Sequence, residues 1–70
     1  MLQPGIYEHY KGNQYEVIGV AQHEETLEEF VVYRALYGGH QLWIRPRKVF
    51  EEMVDVDGKM VPRFKFVHQG

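Results

Sequence analysis

Phe30-Val31-Val32-Tyr33-Arg34-Ala35-Leu36-Tyr37 is the run whose reading decides the fold. It is β-branched and aromatic throughout, which suits a pleated, half-buried surface. Alternation places Val31, Tyr33, Ala35 and Tyr37 on one face and Phe30, Val32, Arg34 and Leu36 on the other. Both faces are largely apolar, so the strand is expected to be central or shared between two packed surfaces. Gly38-Gly39 ends it.

Working outward, short β-prone runs alternate with turn residues, the signature of an all-β chain. Towards the N-terminus, Ile6–Tyr10 follows the Pro4-Gly5 breaker, and Lys11-Gly12-Asn13-Gln14 reads as a turn into Tyr15–Ala21. Gly12 and Asn13 tolerate positive φ there, and Gly19 inside the second run suggests a bulge or tight bend. Gln22–Glu29 is polar and acidic, and Thr26-x-x-Glu29 matches a capping box, which allows one helical turn. The stretch is read as a connection between two long antiparallel strands.

Towards the C-terminus, Leu42–Arg45 is a fourth strand, ended by Pro46, which has no N–H for a ladder. Pro46–Glu52 fits one short helical turn with Val49, Phe50 and Met53 facing inward. Asp57-Gly58, flanked by Val54–Val56 and Lys59–Val61, is the strongest hairpin signal in the chain. In the final run, Arg63–Val67, Phe64 and Phe66 share a face, and His68-Gln69-Gly70 reads as a frayed tail. The expected fold is a mostly all-β, strongly curved antiparallel sheet carrying one helical turn. Closure into an SH3-like barrel would remove exposed edges; a half-open sheet packed on its helical turn is the alternative.

Seventy residues make one domain over 1–70, with an ordered core expected at about 4–67. A chain this short buries only about 60% of its unfolded surface. It contains no cysteine, which excludes disulfides and thiolate zinc sites. One Trp, five Tyr and four Phe must supply the buried area, or a second copy must help. The formal charge of −2 argues against coating nucleic acid by bulk electrostatics. No apolar run approaches the roughly 20 residues that span a bilayer, and no signal-peptide pattern opens the sequence. A cytoplasmic protein without membrane partners is expected.

Several groups of residues resemble the bacterial domain-of-unknown-function family numbered 1653. They are Gly5-Ile6-Tyr7-x-His9-Tyr10-Lys11-Gly12-Asn13-x-Tyr15-Glu16-Val17, His23-x-Glu25-Thr26-x-Glu28, Val32-Tyr33-x-x-Leu36-Tyr37-Gly38, and Trp43-x-Arg45-Pro46 with Phe50 beyond. The resemblance runs from about Pro4 to Phe66 in the same order. It implies a small, stand-alone bacterial cytosolic protein and brings no activity with it.

Four groups are candidates for chemistry. His23 with Glu24, Glu25 and Thr26 could act as a base or hold a metal, but the spacing matches no ligand pattern, and an acidic loop with a surface His is the plainer reading. Tyr10, Tyr33, Trp43 and Arg45 could form a stacking platform or cationic cage. Against that, a cysteine-free core needs its rings, Trp43 first among them. If Trp43 is core, Leu42 and Ile44 face the other way and must also be covered. Arg45, Arg47 and Lys48 could hold an anion, or simply answer Glu51 and Glu52 at helical spacing. His9, His23, His40 and His68 are scattered and encode no metal site.

With no Cys or Ser, and Thr26 occupied in capping, covalent catalysis through those side chains is close to excluded. The leading expectation is a non-enzymatic binding module for nucleic acid, a nucleotide or a peptide, using Tyr10, His23, Glu25, Tyr33, Trp43, Arg45, Arg47 and Lys48, with no cofactor or metal. The rivals are a small His/carboxylate or metal-dependent hydrolase, and a homo-oligomer whose exposed aromatic face is a subunit interface.

Overall fold

The computed structural model describes residues 2–70. Strands β1 (Gly5–His9), β2 (Gln14–Gln22), β3 (Glu29–Ala35) and β4 (Leu42–Pro46) are followed by the four-residue helix α1 (Arg47–Phe50). The strands β5 (Met53–Val56), β6 (Lys59–Pro62) and β7 (Phe64–His68) complete the chain. Five strands form one antiparallel sheet in the order β4-β3-β2-β1-β7, and β5-β6 is a separate hairpin.

The sheet is open. β4 and β7 are its two edges and do not pair, so the ladder is not closed into a barrel. Curvature comes from β2, where the register with β3 shifts between Val17 and Gly19 at the bulge that Gly19 suggested. The extra residue bends the strand and resets its alternation, setting Val20 opposite Val31.

Inside the curve, Tyr7, Val17, Val31, Tyr33, Phe50 and Phe64 form the core, with Leu2 and Tyr15 packed against it. β3 is apolar on both faces because it lies between β2 and β4. Its inward residues Val31, Tyr33 and Ala35 are buried, and its outward Phe30, Val32 and Arg34 are partly covered. The helical turn exists to deliver Phe50, which is buried. The Phe50 ring meets Phe64 face to face and Tyr7 and Tyr33 edge on. Asp57 and Gly58 both take positive φ, 53° and 82°, as a two-residue primed turn requires.

Some expectations need correction. Gln22–Glu29 joins β2 to β3 as expected, but Thr26-x-x-Glu29 makes no capping box, since Thr26 Oγ1 accepts the Glu28 N–H. Leu27 takes φ 63°, its N–H bonds the His23 carbonyl, and the His23 N–H bonds the Glu28 carbonyl, which closes a tight loop. β3 stops at Ala35, and Leu36 and Tyr37 belong to the bend that leads through Gly38. Met53 is exposed, since β5 leaves the sheet for its own hairpin. His68 is in β7 opposite Ile6 and is no part of a tail.

Trp43 is not core either: it is 48% exposed, and Leu42 and Ile44 on the opposite face are 55% and 65% exposed. An edge strand has a neighbour on one side only, so neither of its faces is fully covered. The conflict alternation raised is therefore settled by exposure on both faces: within one chain the fold buries neither Trp43 nor Leu42 and Ile44.

Candidate functional site

Tyr33 and Trp43 are cross-strand partners on β3 and β4, and Val31 and Arg45 are the next such pair but one. All four therefore share the inner face. On the other side of β3, Tyr15 of β2 pairs with Ala35. Tyr15, Tyr33, Trp43 and Arg45, with Tyr37 from the bend after β3, line a cleft of about 200 Å³.

The rings hold one another edge on. Tyr15 lies 5.4 Å from Tyr33, 5.6 Å from Tyr37 and 5.6 Å from Phe64. The Tyr15 and Tyr37 hydroxyls are 2.8 Å apart. Burial, followed by that contact with Tyr37, pushes the Tyr15 phenol up to about 12. It stays neutral at any physiological pH and presents an O–H, never an anion, to the cleft.

Arg45 is held from two sides. Its Nε–H donates to the Tyr33 hydroxyl at 3.3 Å, and its guanidinium lies 5.6 Å from the centre of the Phe64 ring. Among the described residues no carboxylate forms an ion pair with it. Arg47 is the contrast: Glu29 at 3.1 Å and Glu51 at 3.3 Å neutralise it. Arg47 and Lys48 line a different depression, walled by Glu28, Glu29 and Glu51. The basic run of the sequence is thus split, with Arg45 facing the aromatic cleft and its neighbours facing acid.

The other candidates lie apart. Tyr10 is beside His9, on a groove shared with Glu8, Val56, Val61, Pro62 and Lys65. His23 and Glu25 are in the exposed β2–β3 loop. His23 Nδ1 accepts the backbone N–H groups of Glu25 (3.2 Å) and Thr26 (3.4 Å), so the imidazole caps a turn. Thr26 Oγ1 accepts the Glu28 N–H and does the same work. His9 packs between Tyr10 and Phe64; burial, then Arg45, Arg63 and Lys11, lower its pKa. No three His, Asp or Glu side chains among the described residues are grouped to hold a metal ion.

Of the expected residues, then, the fold gathers Tyr33, Trp43 and Arg45 and disperses Tyr10, His23, Glu25, Arg47 and Lys48. Tyr15 and Tyr37 were missed. The signal for Tyr15 was its place in the alternation of β2, which puts it on the face of Val17, but only the pairing of β2 with β3 brings it beside Tyr33. No helix among the described residues is long and apolar enough to cross a membrane.

A crystal structure of a DUF1653 protein from Bordetella bronchiseptica is similar to the chain at 38% identity and a TM-score of 0.89, covering 99% of this chain and 91% of that one. No curated protein matches. The model of the protein-of-unknown-function family DUF1653 matches residues 5–66, from the start of β1 into β7 and across every residue of the cleft. By that match the chain belongs to the DUF1653 family.

Proposed function

We propose that this chain is a small binding module, a half-barrel of the SH3-like kind, that takes a planar, anionic ligand in the cleft of Tyr15, Tyr33, Tyr37, Trp43 and Arg45. The observation that carries the reading is Arg45. It is a guanidinium fixed by Tyr33 and Phe64, without a carboxylate partner, beside a half-exposed Trp ring. Such a group offers its terminal N–H donors to a phosphate or carboxylate, while Trp43 supplies a face on which a base can stack.

Size narrows the ligand. Sites for drug-sized molecules run from roughly 300 to 1,000 Å³. At about 200 Å³ this cleft suits one ring system, such as the base of a nucleotide or of a single-stranded nucleic acid. With a net charge of −2 and one unpaired cation at the cleft, few phosphates would be neutralised, so affinity would be modest and weakly salt-dependent. A bacterial, cytoplasmic setting belongs to the same reading, because a cysteine-free chain needs no oxidising compartment. A hydrolase centred on His23 and Glu25 draws no support from the geometry, where the imidazole is committed to its loop.

The test is titration of isotope-labelled protein with mononucleotides and short single-stranded RNA. Amide shifts centred on Tyr37, Trp43 and Arg45, with quenching of Trp43 fluorescence, are expected. If those signals stay still at millimolar ligand, the reading fails.

A further inference from the structure

The outer backbone edge of β4 is unpaired, and the bonding on its inner side tells which groups lie along it. The Ala35 N–H donates to the Gln41 carbonyl at 3.0 Å, one step beyond the Arg34–Leu42 pair. In an antiparallel ladder hydrogen-bonded and non-bonded pairs alternate. Gln41, Trp43 and Arg45 therefore turn their backbone groups to β3, and Leu42, Ile44 and Pro46 turn theirs outward. Pro46, lacking an N–H, occupies a position that owes β3 no donor. What remains on the edge is a row of four groups, the N–H and C=O of Leu42 and of Ile44.

Open edges are ordinarily blunted by charges, bulges or covering segments. The opposite edge, β7, carries Lys65 and has a register shift where it meets β1. β4 instead presents three consecutive large apolar residues, each about half exposed or more.

We infer that β4 pairs antiparallel with β4 of a second copy of this chain, about a two-fold axis at Trp43. Leu42 then faces the partner's Ile44, and all four free groups are satisfied by four hydrogen bonds. An axis one residue along, at Ile44, would set Leu42 against the partner's Pro46 and leave both Leu42 carbonyls without a donor. The edge is self-complementary because Leu42 and Ile44 flank Trp43 alike. Arg45 falls opposite the partner's Gln41, so no like charges meet across the strands. On the outer face Leu42 and Ile44 of both copies make one apolar stripe that continues into Val32, the β3 neighbour of Ile44. On the inner face the two Trp43 rings adjoin, so each cleft gains the partner's Trp43 as a further wall and the two become one trough across ten strands.

A strand edge of five residues covers less than the roughly 800 Å² per partner of a standard interface. The dimer is accordingly weak and concentration-dependent, in the micromolar range. It does not rest on the ligand reading: the strand edge forms it, and its test contains no ligand.

Sedimentation of the full chain across a concentration series should show a monomer–dimer equilibrium, and Ile44→Lys, an exposed change, should remove it while circular dichroism stays the same. Since the native chain has no cysteine, single-cysteine variants report the register. Trp43→Cys should form an oxidised dimer at least tenfold faster than Met60→Cys, an exposed control on the β5–β6 hairpin, because only position 43 would face itself. A wild-type chain that stays monomeric at millimolar concentration, or Trp43→Cys cross-linking no faster than the control, would overturn the proposal.

Discussion

The rings of Phe50 and Phe64 stack 4.0 Å apart and within 5° of parallel, joining the single helical turn to the last strand of the sheet. Phe50 is 1% exposed and also meets Tyr7 and Tyr33, so its ring closes the open side of the curve. Phe50→Ala should cost about 3–5 kcal/mol, the usual range for deleting a buried Phe. That is a large share of the total for a domain this size, at roughly 0.05–0.15 kcal/mol per residue. Urea denaturation is the check, with Phe50→Leu as a milder variant that stays folded. A loss under about 1 kcal/mol for the alanine variant would mean that this ring is not the keystone described.

Gly5 takes φ 140°, and a Cβ built on it would lie 2.7 Å from the His68 carbonyl oxygen and 3.0 Å from the Phe66 ring. Gly5→Ala therefore meets both backbone strain and a clash where β1 joins β7. It should destabilise by more than about 1 kcal/mol. Gly39→Ala, where the backbone is not left-handed and no clash arises, should be close to neutral. Thermal unfolding of both variants tests the contrast.

Alkaline pH should destabilise this protein through Tyr15. Its pKa is raised from 10.0 to about 12 by burial and then by Tyr37, and Tyr7 moves in the same direction, chiefly by burial. The folded state holds these phenol protons more tightly than the unfolded chain does. The stabilisation is fully present below about pH 10 and is lost as pH rises from there towards 12. Tyr15→Phe should flatten this alkaline limb in part, leaving the share of Tyr7. Urea midpoints measured from about pH 9 upward decide it; equal slopes for the two proteins would refute the assignment.

Binding and stability should separate at Trp43 and Arg45. Trp43 is half exposed on an edge strand, so Trp43→Ala should change stability by only about 0.5 kcal/mol while abolishing nucleotide-induced shifts. Arg45→Lys keeps the charge but loses the Nε–H bond to Tyr33 and the planar fork. It should weaken binding about tenfold, equivalent to roughly 1.4 kcal/mol. Calorimetry and denaturation on the same samples check both; binding equal to wild type in each variant would remove the cleft from consideration.

Much of the fold was legible residue by residue. Alternation in Phe30–Ala35, the Asp57-Gly58 turn, the break at Gly38 and the bulge near Gly19 are local properties, set by side-chain period and by backbone sterics within a few residues. Pro46 likewise marked the passage from β4 to α1, since its fixed φ and missing N–H act at that position alone. Gln22–Glu29 was legible as a connection between two strands, but the capping box that Thr26 allowed did not form, because His23 and Thr26 bonded nearer backbone N–H groups in a loop with Leu27 left-handed.

Strand order was not legible, and exposure follows from it. The sequence by itself determined which stretches are extended, where they turn and which side chains share a face, because these are matters of period and steric restriction along the chain. Only the tertiary structure decided that β4 is an edge, that Trp43 therefore stays half in solvent, that Tyr15 and Tyr37 join it, and that Arg45 and Arg47 part company. Those outcomes depend on pairings between residues distant in sequence, and no local preference specifies which neighbour a strand receives or which edge it leaves open.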